Sequence, residues 1–204
     1  MKALHRPDLF CWSRFDEARD VDFHGYAWIR PEGNVLVDPL PLGPHDRAHL
    51  ERLGGARWIV VTNADHVRGT SEIAAWTRAS IAAPAAERGL IRLDVARWLD
   101  EGDEVVPGLR VLALHGSKTP GELALLLEGT TLLCGDLVRS HAGGRLDALP
   151  ALKLADPVRA YESIARLAAL PGIEAVLVGD GWPAFRDGGK LLRELCDRLK
   201  RSAA

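Results

Sequence analysis

Three apolar runs in this 204-residue chain each stop just before an acidic residue, and that repetition constrains the fold more than any other feature. Residues 58–61 (Trp-Ile-Val-Val) lead to Asp65-His66, residues 132–134 lead to Asp136, and residues 175–178 lead to Asp180. Continuous apolar runs of this length read as strands covered on both faces. Polar groups delivered at strand ends are how α/β proteins build sites, because the sheet fixes the loops while the loops face solvent.

The intervening segments supply the other elements. Residues 23–29 and 35–37 read as two strands joined at Pro31-Glu32-Gly33-Asn34. Residues 44–53 read as a helix with proline at its start and Gly54 just past its end. After the polar loop 62–69, a helix begins near Thr70 or Ser71. Strands are expected at 104–106 and 109–114, and a hairpin over 122–134 that turns at Glu128-Gly129-Thr130. Residues 157–170 form an amphipathic helix capped by Asp156, with Val158, Tyr161, Ala165 and Ala168 as its apolar stripe. A last helix, about 189–201, is expected to bury Leu192, Leu195, Cys196 and Leu199. No repeat or linker interrupts this order, so residues 1–204 read as one α/β domain.

Composition narrows the function classes. A formal net charge of −2 gives no general attraction to nucleic acid or anionic lipid, and Arg198, Lys200 and Arg201 read as a solvated helix face. The three cysteines show no CxxC spacing, which argues against a zinc knuckle or a disulfide framework, and Cys134 and Cys196 sit in apolar patterns as buried thiols. With no signal-like start and no membrane-length apolar run, a cytoplasmic location is expected, with a small molecule as partner.

The order Asp38-Pro39, then Thr62 to Gly69, then Thr119-Pro120-Gly121, Cys134-Gly135-Asp136 and Gly179-Asp180-Gly181 resembles the metallo-β-lactamase superfamily over about residues 20–190. The resemblance implies a four-layer αβ/βα sandwich and a metal-dependent hydrolase. The family signature is HxHxDH, a histidine before a TPG-like turn, a GD aspartate and a late GH histidine. Asp65-His66 and Asp136 match it. Val61 and Asn63 stand at the two early histidines, Lys118 at the histidine before the turn, and Asp180 at the late histidine. The first metal position therefore has no ligand: valine cannot coordinate, and an ammonium is a donor. The second keeps Asp65, His66, Asp136 and Asp180, a set of three carboxylates and an imidazole suited to one divalent ion such as zinc, manganese or iron.

Charge sets a further condition. Carboxylates gathered at one place need compensation, from a cation or from Lys118, Arg68 and protonated His66. Lys118 is expected within hydrogen-bond reach of Asp65, Asp136 or Asp180, and its loss as a buried partner to cost about 3–5 kcal/mol. Three readings follow. One is a hydrolase with a single metal, Lys118 and Asn63 facing its substrate. Another is a metal-free descendant that binds a small ligand. The third is a partner-binding protein without site chemistry. His115 reads as a strand-end histidine tied to backbone, and His24 and His141 as weaker site candidates, His141 within reach of the site mouth. Trp182 and Phe185 suit a pocket wall or core packing equally.

Overall fold

A computed structural model describes residues 1–203, with side chains described through Arg201. The chain divides into two compact units, Met1–Leu99 and Asp100–Ala204, taken here in turn.

Among the described residues, the first unit holds a seven-stranded sheet in the order β1 (Lys2–Ala3), β2 (Leu9–Asp16), β3 (Val21–Trp28), β4 (Val35–Val37), β5 (Trp58–Val60), β6 (Ser80–Pro84) and β7 (Val95–Leu99). β1 to β4 pair antiparallel and β4 to β7 parallel, so β4 and β5 deliver their carboxyl ends to the same sheet edge. Leu50 of α1 (Pro44–Arg52) and Ile73 of α2 (Thr70–Thr77) pack with Trp12, Ala27, Leu36 and Ile59. Val60, fully buried like its neighbour Ile59, points to the opposite face, so both faces of β5 are apolar, and Val61 just beyond packs with Ala83 and Ile91. Besides the two-residue β1, three of these strands escape sequence reading. β2 breaks its alternation with adjacent buried Cys11 and Trp12, β6 is alanine-rich and ends on Pro84, and β7 mixes Arg97 with apolar neighbours.

The second unit holds a four-stranded sheet in the order β13 (Ala175–Val178), β10 (Thr131–Cys134), β9 (Leu123–Leu127), β8 (Leu109–Ala113). β10 and β13 are parallel, with Cys134 opposite Val178. Asp136 and Asp180 each lie two residues further on, so they leave one edge from neighbouring strands spaced about 4.8 Å apart. Two antiparallel steps make β8 parallel to β10, and the loop carrying Lys118 emerges at that same edge. A small hairpin, β11 (Val138–Ala142) with β12 (Arg145–Ala148), follows Asp136. The strand expected at 104–106 is reduced to one bridge, Glu104 to Arg110.

α3 (Pro157–Ala168) and α4 (Gly188–Ala203) cover one face of this sheet. Asp156 caps α3 as expected, accepting from the Val158 and Arg159 amides. The buried face differs from the expected stripe: Ala160, Ser163, Ile164, Leu167 and Ala168 turn inward, and Val158 stays 68% exposed. The helix offers two apolar stripes, and the sheet takes the one with isoleucine and leucine, which buries more apolar area. On α4, Leu192 and Leu195 are buried, whereas Cys196 and Leu199 are only half-buried, a correction to their expected place in the core.

Candidate functional site

At the carboxyl edge of the first sheet, a buried network ties β4 to β5. Asp38 Oδ2 accepts from the Thr62 hydroxyl at 2.6 Å and from His66 Nδ1 at 2.7 Å, and Asp38 Oδ1 accepts from the Thr62 amide at 2.8 Å. Asp38 sits at φ 47°, a left-handed conformation that an aspartate tolerates better than most residues and that these three bonds hold in place. With Nδ1 donating to Asp38, His66 turns its lone-pair nitrogen, Nε2, the other way. Asn63 is fully buried and uses its side-chain oxygen to accept from the Asp65 amide at 3.0 Å, capping the turn Ala64–His66. The Ala64 amide donates to the buried Glu87 carboxylate. Asp65 itself is exposed. Sequence reasoning placed Asp38 in the motif but missed that it orients His66.

At the edge of the second sheet, each expected carboxylate already has a cation. Lys118 Nζ lies 2.8 Å from Asp136 Oδ2. Arg139 Nη2 pairs with Asp180 Oδ2, and His141 Nε2 lies 3.3 Å from the same oxygen. Arg139 Nε also donates to His141 Nε2 at 3.1 Å, so in that arrangement the nitrogen is an acceptor and its approach to Asp180 is not a hydrogen bond. Arg139 carried no motif and was not singled out. Its place follows from a parallel bridge between Ser140 and Gly181, reinforced by the Trp182 amide donating to Ser140 O at 2.8 Å. Gly181, at φ 90°, permits that approach, since a Cβ there would collide with Ser140 O.

The Lys118 loop is anchored on two sides. Gly116 O accepts from the Asp156 amide, and Ser163 Oγ bonds both the amide and the carbonyl of His115. His115 is thus tied to backbone as expected. Beneath the ion pair, the fully buried Glu122 accepts from the Asp136 and Leu137 amides at 2.7 and 2.8 Å and from the Ser117 hydroxyl at 2.6 Å. Burial, and then the nearby charge of Asp136, push the Glu122 carboxyl up to about 7. Its position at the start of the hairpin gave no signal of this role. His24 is buried against Ser13 Oγ at 2.8 Å. Trp182 is 64% exposed and Phe185 is also exposed, so neither belongs to the core.

The family model described as the metallo-beta-lactamase superfamily matches residues 1–199. The chain belongs to the metallo-β-lactamase superfamily. It is 30% identical over 195 residues to a hydroxyacylglutathione hydrolase of Rhodobacter capsulatus, covering 88% of this chain and 73% of that protein. It is 37% identical over 118 residues to a protein of the same name from Ectopseudomonas mendocina (strain ymp), covering 55% of this chain and 41% of that relative. DIM-1 metallo-beta-lactamase superposes with a TM-score of 0.76 at 17% identity, covering 98% of this chain and 95% of that one. A di-iron-bound form of TTHA1623 superposes at 0.69 with 24% identity, covering 90% and 98%. The superfamily fold, α/β in class, is shared across these levels of identity.

Several positions that the superfamily motif gives to metal ligands hold other chemistry here. Val61 is core, Asn63 is a cap, and Lys118 is a cation. Asp136 and Asp180 spend an oxygen each on a protein cation. Among the described residues, no group of three or more His, Cys, Asp or Glu side chains is placed to hold a metal ion. Asp180 Oδ1 is buried without a hydrogen-bond partner among the described residues, as are Thr119 Oγ1 beside Lys118 and Thr70 Oγ1 in the first unit.

Proposed function

We propose that this protein is a metal-independent member of the superfamily, one that binds a small polar organic ligand where its relatives hold metal. The observation that carries this reading is the 2.8 Å pair between Lys118 and Asp136. The lysine stands where the family motif has a metal-binding histidine, and its ammonium supplies a fixed positive charge to the aspartate of the second metal position. Arg139 does the same for Asp180. Fixed ammonium and guanidinium groups can orient an acceptor-bearing ligand, but they do not acidify bound water as a divalent ion does. In this reading Lys118 contacts ligand, the exposed Trp182 offers an aromatic face, and Asn63 is structural.

A second reading, a hydrolase with one metal ion, has the unpartnered Asp180 Oδ1 in its favour, together with the similarity to two hydroxyacylglutathione hydrolases. It requires the metal to bind through the remaining carboxylate oxygens, against the positive charge of Lys118 and Arg139.

Thermal denaturation separates the two. On the metal-independent reading the midpoint is the same with and without a chelator, zinc and manganese leave it unchanged, and a hydroxyacylglutathione probe raises it in the intact protein but not in Lys118→Met. Hydrolysis of that probe dependent on added metal would support the second reading and remove the first.

A further inference from the structure

The stripe left over by α3 meets the half-buried residues of α4 in an apolar groove of about 310 Å³. Its apolar lining is Val158, Tyr161 and Ala165 from α3, and Cys196 and Leu199 from the second half of α4. Ala160, Ile164, Leu167, Leu192 and Leu195 cover the sheet, while Tyr161, Cys196 and Leu199 pack against that core and keep part of their surface in the groove. Glu162 stands at the rim on α3 and Lys200 on α4. Among the described residues, neither has an ion-pair partner.

We propose that this groove is a homodimer interface, occupied by the same groove of a second copy. Two features make the surface self-complementary. Val158, 68% exposed, and the small Ala165 both line the groove, so each copy presents a larger and a smaller apolar side chain to the other. Glu162 and Lys200 have opposite signs on opposite walls, so a two-fold axis sets Glu162 of one copy against Lys200 of the other, twice. An apolar centre with a charged rim is the anatomy of a protein interface. A small-molecule site would instead place polar groups inside the groove to orient its ligand.

Sedimentation velocity of the full chain from about 1 to about 200 µM tests this. The wild type is expected to pass from monomer to dimer within that range. Val158→Asp is expected to weaken dimerisation by at least about 30-fold, as loss of an interface centre does. Glu162→Lys is expected to weaken it about tenfold, and Glu162→Lys combined with Lys200→Glu to restore it to within about threefold. All three positions are exposed, and circular dichroism and melting of each variant check that the fold is retained. A wild type that stays monomeric throughout overturns the proposal, including the case in which the groove takes up decanoate instead. So does a dimer that survives both Val158→Asp and Glu162→Lys, or a charge swap that fails to restore it.

Discussion

The carboxyl edges of the two sheets treat their polar residues differently. At the first, Asp38, Thr62 and His66 form a closed hydrogen-bond network around one carboxylate. At the second, Asp136 and Asp180 are each answered by a long cationic side chain from a neighbouring loop or hairpin. The first edge keeps a histidine held by a carboxylate, the arrangement that orients imidazole for a metal. The second holds its carboxylates by ion pairs to Lys118 and Arg139. On the reading proposed above, these cations of the chain supply the charge that a metal would bring.

Breaking the first network should have the largest effect. Asp38→Ala leaves the Thr62 amide, the Thr62 hydroxyl and His66 Nδ1 without their carboxylate, and puts alanine into a left-handed conformation. Destabilisation of about 3–5 kcal/mol is expected in chemical denaturation. Lys118→Met, at the second edge, should cost less. The lysine side chain is 31% exposed against 9% for Asp136, so the pair is partly solvated and the expected loss is about 1–2 kcal/mol, below the figure for a fully buried pair. That loss should shrink at acid pH as carboxylates protonate.

Glu122 sharpens the contrast through pH. Its folded value, about 7, lies above the ordinary 4.5, so the folded state holds more protons between these two values. Stability is then greatest below the unfolded value, falls as pH rises from about 4.5 to about 7, and levels off above. Glu122→Gln keeps an acceptor for the Asp136 and Leu137 amides and should remove that slope, leaving a flatter profile over the same window in melts read at half-unit steps. The smallest effect is expected at Trp182→Ala. An exposed side chain should change stability by less than about 0.5 kcal/mol, while binding of a hydroxyacylglutathione probe weakens in calorimetry.

The site was legible where chemistry coincides with local pattern. Asp136 and Asp180 follow apolar strands, and the register of β10 against β13 sets them side by side as those runs imply. Lys118 was legible as a charge partner because it stands in place of a histidine, and the structure pairs it with Asp136. Arg139, Glu122 and the orienting role of Asp38 were not legible, because each acts on a residue 14 to 41 positions away through tertiary contact. The α3 stripe was misread because periodicity alone cannot rank two apolar faces of one helix.

The central claim is that Lys118 and Arg139 replace metal at this edge, and metal content tests it most directly. The protein should be purified without chelator and without added metal, then assayed by elemental mass spectrometry against its own concentration. The account predicts zinc, iron and manganese far below one equivalent, in the wild type and in Lys118→Met alike. One or more tightly held equivalents of any of them in the wild type would contradict it.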